Sequence, residues 1–323
     1  MPLTWRHGLV APEGRALSSF RPAPRSQIPR CGAGERVPLR CVSILRPSPS
    51  PQVHRRQFVA ETKTHTVTVA HRPLLLSWAG VTDQGRRRET NQDALLAEYP
   101  LFIVADGMGG HAGGEIASQS TVTRLRAVVD ADEVSPSAIE KALALAVDDI
   151  AGHPDTTDEG TGTTLTGVYL DEREGEPHWV ALNIGDSRVY LLRDDRLLQV
   201  TTDHSVVQEL ITAGKLSPEE AEGHPYSNVI TRAVGASELT APDYVTIDVR
   251  PGDRFVICSD GLTKELTDYG IQHFLRAHAD PGESVDAMLA AALDNGGRDN
   301  VTVIVLQVSD PEDSSSPSDD SAE

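Results

Sequence analysis

Four aspartates stand at the ends of apolar runs, each beside a glycine or an asparagine. They are Leu101-Phe-Ile-Val-Ala-Asp106-Gly107, Ala181-Leu-Asn-Ile-Gly-Asp186, Phe255-Val-Ile-Cys-Ser-Asp260-Gly261 and Asp299-Asn300-Val-Thr-Val-Ile-Val. Taken singly, each is ordinary turn chemistry, because glycine tolerates positive φ and aspartate bonds to nearby backbone. Taken together, they offer carboxylates at the ends of rigid strands, and a glycine at such a point also lets a backbone carbonyl approach. That is the donor set of a hard cation such as Mg²⁺ or Mn²⁺, which takes several oxygen ligands. Zinc fits poorly, since no Cys/His spacing suits it.

A fifth segment, Val81-Thr-Asp-Gln-Gly85-Arg86-Arg87-Arg88-Glu89-Thr-Asn91-Gln92-Asp93, places three arginines before a further aspartate. A guanidinium grips two phosphate oxygens in a fork, which suits a phosphomonoester. Three consecutive arginines are equally compatible with a solvated basic patch. No Cys-x5-Arg loop is present to supply a thiolate nucleophile.

The elements that must position these residues are legible in outline. Apolar or alternating runs predict strands at 75–81, 101–105, 163–170, 178–184, 187–193, 244–249, 254–259 and 301–308. Helical patterns cover 113–130, 135–151, 204–213 and 282–295. Strands and helices each come in neighbouring pairs. That grouping favours packed antiparallel sheets covered by helix pairs over an alternating parallel sheet. No internal repeat is evident.

Charge is unevenly spread over the 323 residues. Residues 1–72 hold 12 Lys+Arg against 3 Asp+Glu, while the remainder holds 17 against 45, a net of −28. An acidic body repels nucleic acid and anionic membrane surfaces, and it concentrates divalent cations. Residues 1–72 are rich in Pro, Arg and Ser. They are expected to be a disordered basic tail or to precede the true translational start. Residues 73–308 are expected to form one globular domain, and 309–323, with six acidic residues, six serines and no basic one, an acidic disordered tail. Three cysteines, Cys31, Cys41 and Cys258, are too few for a disulfide framework and suggest a reducing, cytoplasmic setting. No apolar stretch approaches the roughly eighteen residues needed to span a bilayer.

Residues 75–308 resemble the protein phosphatase 2C family, the metal-dependent serine/threonine phosphatases, in its bacterial form. Seven segments carry the resemblance in order. They are Gly85-x-x-Arg88-x-x-Asn91-x-Asp93, Asp106-Gly-Met-Gly-Gly-His111-Ala-Gly-Gly-Glu and Gly162-Thr163-Thr164-Leu, then Asn183-Ile-Gly185-Asp186-Ser187-Arg188 and Thr202-Asp203-His204-Ser205, and last Cys258-Ser-Asp260-Gly-Leu and Arg298-Asp299-Asn300-Val-Thr-Val. The resemblance implies an α+β fold, two packed antiparallel β-sheets flanked on each side by antiparallel helix pairs. It implies hydrolysis of phosphoserine and phosphothreonine in proteins by a metal-activated water at a binuclear Mn²⁺ or Mg²⁺ centre. It further implies that Asp106 bridges two tight ions, that Gly107 offers its carbonyl, and that Asp260 and Asp299 complete the set. Asp186 would hold a third, weak ion, and Asp93 is a further candidate ligand. Arg88 would grip the phosphate, and His111 would act as general acid. Residues 203–236 resemble the flap of bacterial members. Gln92 departs from the Glu frequent in the family and removes a negative charge near the second ion.

The implied partners are phosphorylated proteins, with no nucleic acid or membrane, and the implied state is a cytoplasmic signalling monomer. Two alternatives remain at this point: a catalytically inactive phosphatase-like regulatory binding module, and a two-metal hydrolase of small phosphoesters.

Overall fold

In this chain a period of two sorts side chains onto the two faces of each strand. The computed structural model describes residues 60–311 other than 111, 157–159, 173–175, 222 and 237–240. Its strands begin with β1 (Lys63–Val69), β2 (Arg72–Asp83), β3 (Asp93–Glu98) and β4 (Leu101–Met108). Next come β5 (Gly162–Thr163), β6 (Leu165–Asp171), β7 (His178–Ile184), β8 (Arg188–Arg193) and β9 (Arg196–Gln199). The last are β10 (Asp243–Asp248), β11 (Arg254–Cys258) and β12 (Val301–Ser309). The helices are α1 (Gly113–Asp130), α2 (Pro136–Gly152), α3 (Val206–Thr212), α4 (Pro218–Ala221), α5 (Asp260–Thr263), α6 (Asp268–Ala277) and α7 (Pro281–Asn295).

One sheet runs β1-β2-β12-β11-β8-β9, the other β10-β7-β6-β4-β3, with β5 joined to β4. Every strand pairing among the described residues is antiparallel. Three apolar layers result. In β4, Leu101, Ile103 and Ala105 pack under α1 and α2, while Phe102 and Val104 enter the layer between the sheets. In β12, Ile304, Leu306 and Val308 fill that middle layer, and Val301, Val303 and Val305 meet α6 and α7. Strands covered on both faces must be apolar at every position, which is why these two read as unbroken runs. The α-β-β-α sandwich is the expected fold.

Caps fix the helices. Ser135 accepts from Ala138 N–H ahead of Pro136, and Asp280 accepts from Glu283 N–H ahead of Pro281.

Several expectations need correction. The boundary at 72/73 falls inside a hairpin: β1 pairs with β2 from Lys63↔Trp78 to Val69↔Arg72, and Val67 is buried in the middle layer. The alternation of Lys63-Thr-His-Thr-Val-Thr-Val69 is too polar to stand out, because an edge strand leaves most of its side chains in water. Strands β3 and β9 and helices α4, α5 and α6 were not expected either. The predicted strand 163–170 divides at Thr164, whose N–H leaves the ladder to bond Asp106 O at 2.9 Å. At the other end β12 extends through Ser309, so the domain passes its expected limit by a residue or more. Residues 1–59 and 312–323, which hold most of both expected tails, lie outside the described residues.

Candidate active site

The alternation that sorts the core also delivers the site. Asp106 follows Phe102 and Val104 on the inter-sheet face of β4. Asp93 pairs directly with it across β3 and β4. Ser259 and Thr302 carry the same parity on the other sheet, and both reach Asp93. The Ser259 hydroxyl donates to Asp93 Oδ2 at 2.8 Å and the Thr302 hydroxyl donates to the same oxygen at 2.7 Å. Asp93 is 3 % exposed, and its Oδ1 has no hydrogen-bond partner. Asp260 opens α5 just beyond β11, Asp299 precedes β12, and Asp186 sits in the turn between β7 and β8. Both sheets therefore bring their acidic ends to one edge of the sandwich.

Two glycines allow the close approach. A Cβ at Gly107 would lie 2.1 Å from Gly114 O and 2.5 Å from Gln92 O, so the end of β4 packs backbone to backbone on the start of α1. A Cβ at Gly261 would lie 1.8 Å from Asn300 O, which brings the Asp260 and Asp299 turns together.

Such crowding changes the acids. Burial, then the charges of Asp93, Asp260 and Asp186, hold the Asp106 carboxyl well above the usual range. Burial is also the main reason Asp93 is raised to about 6, with Asp260 and Asp299 adding to it. Asp186 is raised to about 7 by burial and by the charges of Asp260 and Asp203. Asp299 goes the other way. Burial alone would raise it, but hydrogen bonds and charge from Lys264 and Arg88 hold it below the usual range. Lys264 Nζ lies 2.6 Å from Asp260 Oδ2 and 2.8 Å from Asp299 Oδ2. The Arg88 Nε lies 2.7 Å from Asp299 Oδ1.

The three arginines of the first segment part company. Arg86 N–H bonds Gly297 O at 2.7 Å, and its Nε bonds Leu293 O at 2.7 Å, which ties the loop to the end of α7. Arg87 is exposed. Only Arg88 reaches the acidic cluster. It also lines a cavity of about 310 Å³ with Glu89, Thr90, Gln92, Gly109 and Asn300. His111 lies outside the described residues.

Sequence reasoning gave no role to several residues that build the site. Asn300 Oδ1 accepts from Gln92 N–H at 2.9 Å, and its amide donates to Gln84 O and Thr90 O, each at 2.9 Å. It thus staples the Arg88 loop to β12. His204 Nδ1 accepts from Gly185 N–H at 3.0 Å and its Nε2 faces Asp243 Oδ2 at 3.0 Å, which fixes the turn that carries Asp186. Asp203 is held bidentately by Arg188, with Nε–Oδ1 at 3.0 Å and an Nη–Oδ2 distance of 2.7 Å. The motifs containing Asp203, His204 and Asn300 were visible, but their partners lie far away in sequence. Lys264 had no signal at all.

The donor chemistry fits a pair of hard cations. Among the described residues no three His, Cys, Asp or Glu side chains enclose an ion site directly. Lys264 and Arg88 occupy part of the acidic set instead. These two cations are nevertheless outnumbered by the five carboxylates gathered there: Asp93, Asp106, Asp186, Asp260 and Asp299. Asp93 Oδ1 and Asp260 Oδ1 stay buried without a partner. Buried anionic oxygens left unpaired are costly, and divalent cations bound by oxygen remove that cost. Asp106 with the Gly107 carbonyl, together with Asp93, Asp260 and Asp299, are the groups that would hold them.

A family model described as protein phosphatase 2C matches residues 82–294. The serine/threonine protein phosphatase PstP of Mycobacterium tuberculosis is 39% identical over 245 residues, covering 73% of this chain and 46% of that protein. The chain thus spans about half the length of the first curated relatives it matches. Protein phosphatase PhpP of Streptococcus pneumoniae is 34% identical over 241 residues, covering 71% of this chain and 96% of that one. Among solved structures, the M. tuberculosis phosphatase superposes with a TM-score of 0.65 at 36% identity, covering 72% and 99% of the two chains. The catalytic domain of PstP in complex with two manganese ions gives a TM-score of 0.64 at 37% identity, covering 73% and 100%.

Proposed function

The chain belongs to the protein phosphatase 2C family, and on that premise we propose that it hydrolyses phosphoserine and phosphothreonine in proteins at a centre of two Mn²⁺ or Mg²⁺ ions. The direct pairing of buried Asp93 with half-buried Asp106, both carboxyls raised first by desolvation and then by neighbouring acids, is the observation that carries this reading. Like charges opposed across two strands destabilise a sheet unless something offsets them. Bound ions would offset them, and would supply an acidified water and positive charge for the phosphoryl oxygens.

The chain's own residues do the rest. Asp106, the Gly107 carbonyl, Asp260 and Asp299 form the cradle at the strand ends, and Asp93 stands behind Asp106. Ser259 and Thr302 hold Asp93 in place with their hydroxyls, so it cannot turn away when charged. Arg88 is half exposed at the mouth of the 310 Å³ cavity and is the cation able to fork onto phosphoryl oxygens. His111 would return a proton to the leaving oxygen. The flap, with exposed Tyr226 and Val229, would meet the polypeptide around the phosphorylated residue. A third weak ion at Asp186 would have to share Asp260, and Lys264 already bonds that carboxylate.

Among the described residues no helix is long and apolar enough to cross a membrane. The acidic body favours phosphoproteins over nucleic acid as partners, and the reading extends to a monomer acting in cytoplasmic signalling. The test is phosphate release from phosphoserine and phosphothreonine peptides with Mn²⁺. Turnover that stops with EDTA and returns with Mn²⁺ is expected. Activity that survives exhaustive chelation would refute the two-ion centre. No turnover at any metal concentration would favour the inactive binding module. Hydrolysis of p-nitrophenyl phosphate without phosphopeptides would favour the small-phosphoester reading.

A further inference from the structure

Lys264 is the fourth residue after Asp260 on the short α5 turn, and its side chain folds back into the acidic cluster. Its ammonium lies 2.6 Å from Asp260 Oδ2 and 2.8 Å from Asp299 Oδ2, with 31 % of the side chain exposed. Its positive charge also reaches Asp186, easing the repulsion from Asp260. An ammonium is a compact point charge with three donors, so it can serve two or three carboxylates at once.

We infer that Lys264 is a built-in cation that takes the place of a third divalent ion on the Asp186–Asp260 side of the cluster, so that this centre saturates at two ions. The inference rests on the two-ion reading above. A divalent ion approaching Asp186 through Asp260 would meet a carboxylate oxygen already bonded by a fixed positive charge, and like charges at that range repel. The other side differs, because Asp93 Oδ1 and Asp260 Oδ1 have no partner. Ions are therefore drawn to the Asp93–Asp106 side, and the lysine serves the Asp186 side. The geometry also makes Asp186 an electrostatic neighbour of the centre, with no need for it to ligate.

The experiment counts ions. The full chain is stripped with EDTA, dialysed, and titrated with Mn²⁺ into the millimolar range by equilibrium dialysis and calorimetry. The wild type is expected to stop at two ions per chain, and Asp186→Ala to leave that number at two. Lys264→Ala is expected to raise it to three, and the added ion should vanish in the Lys264→Ala/Asp186→Ala double variant. Lys264→Arg, which keeps the charge, is expected to return the count to two. A third ion in the wild type that Asp186→Ala removes would overturn the inference, and that result does not depend on any lysine variant folding. Lys264→Ala that folds, as judged by melting, yet still stops at two would overturn it too. Fewer than two ions in the wild type would instead overturn the two-ion reading, and the inference with it.

Discussion

Asp93→Asn puts the proposed conflict between stability and metal binding to a direct test. In the metal-free chain the Asp93 carboxyl is raised from 3.8 to about 6, first by burial and then by Asp260 and Asp299. A raised carboxyl pKa means that the group's contribution to stability is fully present below the unfolded value and is lost as pH rises through the folded one. At pH 8 the charged Asp93 therefore costs the metal-free fold about 3 kcal/mol, from roughly two pKa units at about 1.4 kcal/mol each. Asparagine is neutral and keeps an acceptor oxygen for the Ser259 and Thr302 hydroxyls. In EDTA at pH 8 the variant should be more stable by about 1–3 kcal/mol, which raises Tm by several degrees for a domain of this size. The gain should fade near pH 4, where both side chains are neutral. In Mn²⁺ the gap should close: the wild type gains about 2.7 kcal/mol at a free concentration a hundred times Kd, and the variant, with a weaker cradle, gains less. Thermal unfolding of both proteins in EDTA and in Mn²⁺, at pH 8 and pH 4.5, gives all the required numbers. A variant less stable than wild type in EDTA at pH 8, or one that keeps the full Mn²⁺ gain, would refute the reasoning.

Asp260→Ala removes a carboxylate from the cradle and should lower Mn²⁺-dependent turnover of p-nitrophenyl phosphate by at least roughly a hundredfold; a variant with wild-type kinetics would mean the site is misassigned. Arg88→Ala should lower kcat/KM on phosphopeptides by about 10- to 100-fold, the loss expected for a charge-assisted hydrogen bond, mostly through KM. Arg86→Ala should leave kinetics alone and lower Tm, because the Arg86 guanidinium bonds Leu293 O and Asp294 Oδ1. Reversed results for the two arginines would show that the wrong one faces the substrate. A chain starting at residue 73 should be about 3 kcal/mol less stable than one starting at residue 60, since it loses the β1 ladder and buried Val67. Equal urea midpoints would show that β1 adds nothing to the fold.

The sequence alone determined the acidic turns and the sandwich that carries them. Apolar runs such as Leu101–Ala105 and Val301–Val308 can only be strands covered on both faces, and an aspartate at the end of such a run must sit at a sheet edge. The sequence puts Asp106 on the face of Phe102 and Val104 by period two, though an unbroken apolar run does not mark which face meets the other sheet. What it could not decide is which edges meet. The pairing of Asp93 with Asp106, the reach of Ser259 and Thr302 across to the opposite sheet, and the Asn300 staple depend on strand register between distant segments. Three successive arginines look alike in sequence, yet the turn at Gly85 sends Arg86 to α7 and Arg88 to Asp299. Edge strand β1 escaped notice because water rewards polar side chains on the strand that ends a sheet. Lys264 was the least legible of all. A lysine on a short helix is ordinary until the fold sets Asp299 opposite Asp260 and leaves its ammonium between them, because charges interact through space and only packing sets that distance.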